Sequence, residues 1–184
     1  MCADSDDVPR EAYGRVSHPE RYLVLHQSAV DQIDRLVQQY SPDRTDGADL
    51  DPRAASAWPG SPAVRLTPRN GGAPITFTFT PFPGIMTRFG HGGQAAFPAC
   101  GCDACDEDPT AEAYRMAGIV ADVVAGGLSE SRNHRMLRQD TYEWRLTRLD
   151  GSGSIAIGPA PVEAELAGHL PSGSTRWVAW SSVP

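Results

Sequence analysis

Tyr22, Leu25, Ala29, Ile33, Val37 and Tyr40 recur every three or four residues, while Gln27, Asp31, Asp34, Arg35 and Gln38 fall mostly on the other side. This is the spacing of a helix with one face on a core. Ser17 followed by Glu20 has the spacing of a capping box, so the helix is expected to start there. From Ala63 to Gly90 the period becomes two: Val64 and Leu66, a turn at Asn70-Gly71-Gly72, then Ile75, Phe77 and Phe79 alternating with threonines. That pattern predicts an antiparallel hairpin, with a third strand over Ile85 to Gly90 after the break at Pro81, Pro83 and Gly84. Asp108-Pro109 is a helix opening, and Met116, Val120, Val123 and Val124 carry a mostly buried helix on to Gly126-Gly127. Tyr142, Trp144 and Leu146 alternate with polar residues, and Asp150-Gly151-Ser152-Gly153 turns the chain into a strand at Ile155 to Ile157. A brief helix from Pro161 to Ala167 and a last strand from Thr175 to Trp180 complete the pattern.

Helices and strands in this order suit an α+β fold better than alternating βαβ units. The expectation is an antiparallel sheet of about five or six strands, with two long helices and one short helix packed mainly on one face. Between Ser41 and Pro62 the composition turns to Asp, Pro, Ala, Gly and Ser without a period, which predicts a long surface loop at about 41–62. Residues 1–10 read as a flexible acidic tail, and 11–184 as one domain, since 184 residues suffice for one sizeable core.

Charge narrows the partners. A net charge of −7 opposes general attraction to nucleic acid or anionic lipid, leaving a small molecule or a protein as the expected partner. All 16 basic residues are Arg. Without Lys there is no Schiff base and no P-loop lysine, whereas Arg offers bidentate grip on carboxylate or phosphate. The acidic start lacks the make-up of a signal peptide, and no apolar run is long enough to span a membrane, so the expected compartment is the cytoplasm. There thiols stay reduced, and clustered cysteines read first as metal or redox chemistry.

Cys100-Gly101-Cys102-Asp103-Ala104-Cys105-Asp106 is the chemically distinctive segment. C-x-C and C-x-x-C turns fold their thiols around a shared centre, and zinc is the first expectation, held by Cys100, Cys102 and Cys105 in a mainly structural role. His91, on a loop between two glycines, is the candidate fourth ligand; Asp103, Asp106, Cys2 or another chain are alternatives. An open fourth position would make the metal catalytic, in an enzyme of small-molecule metabolism with a pocket lined by Trp144, His91 and an Arg. A redox dithiol at Cys102 and Cys105 is opposed by Asp103, Asp106, Glu107 and Asp108, whose charges disfavour thiolate. The plainest alternative is that the cysteines are small residues of a tight turn.

Tyr13-Gly14-Arg15-Val16-Ser17-His18-Pro19-Glu20-Arg21-Tyr22 and Phe97-Pro98-Ala99-Cys100-Gly101-Cys102-Asp103-Ala104-Cys105-Asp106-Glu107 form two motifs. Together they resemble a family of uncharacterised bacterial proteins of similar length. The resemblance implies a compact domain and directs attention to both segments, without an activity or cofactor.

Other groupings are explained without function. His18 and Glu20 belong to the capping box, Arg132, His134, Arg135 and Arg138 suit a solvated connector, and Trp144, Trp177 and Trp180 suit core strands. Gly151-Ser152-Gly153-Ser154-Ile155-Ala156 matches a dinucleotide fingerprint literally but joins two strands. H-E-x-x-H, G-x-S-x-G and EF-hand signatures are absent.

Overall fold

The computed structural model describes residues 13–133, 141–161 and 173–183, and for 154–161 the backbone alone. Its elements run α1 (Leu23–Tyr40), β1 (Asp43–Ala48), α2 (Pro52–Ala57), β2 (Pro62–Thr67), β3 (Ile75–Phe79), β4 (Ile85–Phe89), β5 (Gly93–Phe97), α3 (Pro109–Val124), β6 (Leu128–Asn133), β7 (Thr141–Thr147), β8 (Ser154–Pro161) and β9 (Gly173–Arg176). The fold is α+β and the strands are antiparallel, as the pattern predicts. They divide between two sheets: a five-stranded meander in the order β1-β2-β3-β4-β5, and a four-stranded sheet in the order β8-β7-β6-β9.

Periodicity explains the long elements. Leu25, Ala29, Ile33 and Leu36 are the buried stripe of α1, and Met116, Ile119, Val120 and Val123 that of α3. The two helices pack on each other; α1 also reaches β2 and β4, while α3 reaches β5 and β7 and so touches both sheets. Asp108 caps α3, its carboxylate accepting from the N–H groups of Thr110 and Ala111. Phe77, Phe89 and Ile75 of the first sheet join Leu128, Trp144 and Leu146 of the second in one buried cluster. The Trp144 ring stands edge-on to Phe89, centroids 5.1 Å apart. Burying a side chain of this size contributes ~1.5–3 kcal/mol.

Three expectations are corrected. The 41–62 segment carries β1 and α2 where a loop was expected. All six β1 residues are exposed, so no apolar alternation marks this edge strand, and α2 has only six residues, too few for a period. The helix entry is a 3-10 turn, Pro19–Tyr22, whose preceding residue is His18 with no side-chain cap; the Ser17 hydroxyl and Glu20 carboxylate are used elsewhere. The last strand is β9, which ends at Arg176. Beyond it Trp177 N–H bonds Leu128 C=O and Trp180 N–H bonds Val124 C=O, drawing the chain off the sheet and over the end of α3. Pro161 closes β8, and 162–167 of the expected short helix lie outside the described residues. Among the described residues no helix is long and apolar enough to cross a membrane.

Candidate functional site

The link between β5 and α3 is a tight loop built on backbone bonds. The N–H groups of Cys100 and Gly101 both donate to Glu107 Oε2 at 2.9 Å, and those of Cys105 and Asp106 both donate to Cys102 C=O at 3.1 Å. Gly101 has φ +78, and a Cβ there would press on the Phe82 ring at 2.8 Å, so this corner needs glycine. The loop brings the sulfurs of Cys100, Cys102 and Cys105 within 4.8 Å of one another. Cys100 is exposed and Cys102 buried; both are free thiols, 3.2 Å apart, whereas Cys105 is disulfide-bonded.

The two sequence motifs meet at this loop. Asp103 accepts from Arg15 Nε at 2.8 Å, from the Ser17 N–H at 2.8 Å and from the Ser17 hydroxyl at 2.7 Å, while its own N–H donates to Arg15 C=O at 2.8 Å. Arg21 bonds Asp106 at 2.6 Å, and the Tyr22 hydroxyl donates to Glu107 C=O at 3.0 Å. Ser17, read from sequence as a cap, is therefore a strut between distant segments.

These contacts change the electrostatics expected from an acidic turn. Asp103 is held down to about 2, first by the Ser17 hydroxyl, then by the Ser17 N–H and Arg15. Each neighbouring acid has a partner: Asp106 has Arg21, Glu107 has two loop N–H groups, and Asp108 caps α3. The Cys102 thiol is pushed down by the hydrogen bond from Cys100, helped by the N–H groups of Gly14, Cys105 and Ala104; sharing that bond pushes Cys100 up. Burial works against the Cys102 shift, and the Glu107 charge adds to the rise at Cys100, as expected beside a carboxylate.

A cation fits this donor set. Tetrahedral zinc with Zn–S near 2.3 Å needs sulfurs about 3.8 Å apart, which lies between the 3.2 Å contact and the 4.8 Å limit of the group. Cys105 can contribute only as a thiolate, so its disulfide must be reduced first. Among the described residues no His, Asp or Glu joins the three sulfurs. Asp103 and Asp106 are tied to arginines, and Cys2 lies outside the described residues.

His91 sits elsewhere, at the turn between β4 and β5, its ring 4.7 Å from that of Trp177. Five residues of β5 at about 3.4 Å each separate that turn from the cysteine loop. Around His91 the structure assembles a polar cluster. Glu130 of β6 is buried and accepts from the N–H groups of His91, Gly92 and Gly93, from Trp177 Nε1 at 2.6 Å and from the Tyr142 hydroxyl. Arg88 pairs with the buried Asp51 at 3.2 Å and donates to His91 C=O. Burial pushes the His91 imidazole down, against the pull of Glu130 and with the help of Arg88 and Arg65. The pocket residues beside His91 are thus Arg88 and Arg65, while Trp144 lies in the core between the sheets. Glu130, Asp51 and Tyr142 were not singled out from sequence, where an isolated Glu in the polar run Ser129-Glu130-Ser131 carries no signal. Of the Arg132 patch, His134, Arg135 and Arg138 lie outside the described residues.

The model of a family of unknown function (DUF6226) matches residues 3–184. The chain belongs to that family. The match covers both motifs and nearly the whole chain, and the family carries no activity with it. No curated protein and no solved structure matches the chain.

Proposed function

We propose that Cys100, Cys102 and Cys105, once reduced, hold one zinc ion whose role is mainly structural, fixing the loop between β5 and α3 and the segment 13–22 docked on it. The observation that carries this reading is the convergence of three sulfurs within 4.8 Å. Zinc suits it because thiolates bind zinc among the common divalent ions, and the cytoplasm expected for this chain keeps thiols reduced. The metal would stabilise the thiolates, offsetting the Glu107 charge that raises Cys100, while Asp103 and Asp106 are already paired with Arg15 and Arg21. The fourth position would fall to water or to a residue outside the described ones.

Elemental analysis of untagged protein, purified under reducing conditions without chelator, tests this. The expected result is one zinc per chain, lost in Cys102→Ser together with thermal stability. Zinc lost with stability intact would make the metal catalytic or sensory, and absence of zinc from the reduced protein would overturn the reading.

The Cys105 disulfide, with the free Cys102 sulfur within 4.8 Å of it, supports a second reading, thiol–disulfide exchange. The Cys102 thiolate would attack Cys105 Sγ, forming a Cys102–Cys105 disulfide and releasing the former partner sulfur as thiolate. Mass spectrometry under non-reducing conditions distinguishes it by that new internal bond.

A further inference from the structure

Register aligns Arg65 of β2 with Thr76 of β3, and Thr76 with Arg88 of β4. Because side chains alternate along strands, the three share the sheet face opposite Leu66, Ile75 and Phe89, which face the core. A half-buried row of two guanidinium groups flanking a hydroxyl is an unusual lining for that face. The Leu50–Pro52 turn covers it, and between turn and sheet lies a cavity of about 190 Å³, bordered also by His91.

The two arginines are used differently. Arg88 is engaged by Asp51 and by His91 C=O. Among the described residues the Arg65 guanidinium has no hydrogen bond or ion pair, and the Thr76 hydroxyl has no hydrogen-bond partner. Glu130 is occupied by donors from His91, Gly92, Gly93, Tyr142 and Trp177. At about 30 Å³ per water, the cavity has room for roughly six waters, or a ligand of a similar number of heavy atoms.

We propose that this cavity binds a small oxyanion, a carboxylate or phosphate group, gripped by the fork of Arg65, with Arg88, the Thr76 hydroxyl and the His91 ring completing its hydrogen bonds. Bidentate pairing of guanidinium with an oxyanion is strong and directional, and a half-buried site strengthens it relative to the open surface. The site shares no residue with the cysteine loop and stands independently of the metal.

Isothermal titration with inorganic phosphate and, separately, with malonate tests the proposal on wild type, Arg65→Met, Arg65→Lys and the surface control Arg69→Met. Saturable binding is expected for at least one anion, weakened tenfold or more by Arg65→Met, less by Arg65→Lys, and unchanged by Arg69→Met. Binding of phosphate alone assigns a phosphorylated ligand, and binding of malonate alone a carboxylate. Circular dichroism establishes that the variants are folded; should Arg65→Met not fold, Arg65→Lys and Thr76→Val carry the comparison. Absence of saturable binding by either anion, or equal weakening by Arg69→Met, overturns the proposal.

Discussion

The Ser17 hydroxyl donates to Asp103 at 2.7 Å across 86 positions of sequence, and this bond is the centre of the contact between the two motifs. Replacing Asp103 by Ala removes the acceptor for Ser17 and Arg15 together. Amide exchange at residues 15–18 is expected to accelerate at least tenfold in Asp103→Ala, and limited proteolysis to cut first near that segment. Unchanged exchange there would show that the segment is held by other contacts.

Glu130 is a single acceptor for several buried donors. In Glu130→Ala the N–H groups of His91, Gly92 and Gly93 and the Tyr142 and Trp177 donors lose it. At ~1–3 kcal/mol per unsatisfied buried group, destabilisation of about 3 kcal/mol or more is expected in chemical denaturation. Gly90→Ala should also destabilise: its φ is +62, and a Cβ would collide with the same carboxylate.

The two sheets share the Phe89–Trp144 contact, so shortening Trp144 should loosen both. Trp144→Ala is expected to cost about 3–5 kcal/mol in unfolding free energy, and Trp144→Phe distinctly less. Separate unfolding transitions in wild type would contradict one shared core.

Burial lowers the His91 affinity for a proton below its ordinary value of 6.5. As pH falls through about 6.5, the unfolded chain takes up that proton before the folded one does, so stability present at higher pH is lost on acidification. Glu130 opposes this shift, while Arg88 and Arg65 reinforce it. Denaturation midpoints between pH 8 and pH 5 should therefore fall, and the slope should flatten in His91→Gln; equal slopes would assign the effect to other groups.

The fold class, α1, β3 and α3 were legible because each has an apolar face of regular period. β6 was not: of its two buried positions, Leu128 and Glu130, the second is a carboxylate satisfied by donors from three other segments, and no periodicity rule looks for it. The cysteine group was legible from spacing alone, since its residues fall within one turn. Its partners were not, because a Ser17-x-x-Glu20 spacing has a local explanation and the actual acceptor lies far along the chain. Nearness in sequence also misled for His91, which an extended strand carries away from Cys100. Likewise the row Arg65-Thr76-Arg88 exists only once three strands are in register.

The outer edge of the meander has its own consequence. Among the described residues β1 pairs with β2 on one side only, leaving amides and carbonyls that another extended chain could join, yet Arg44 and Asp46 close on each other at 2.7 Å along it and Arg69 reaches Asp43 at 2.9 Å. An approaching strand must strip water from these charges before its first backbone bond forms, so the fold guards its open seam against self-stitching with pairs that add little to its stability.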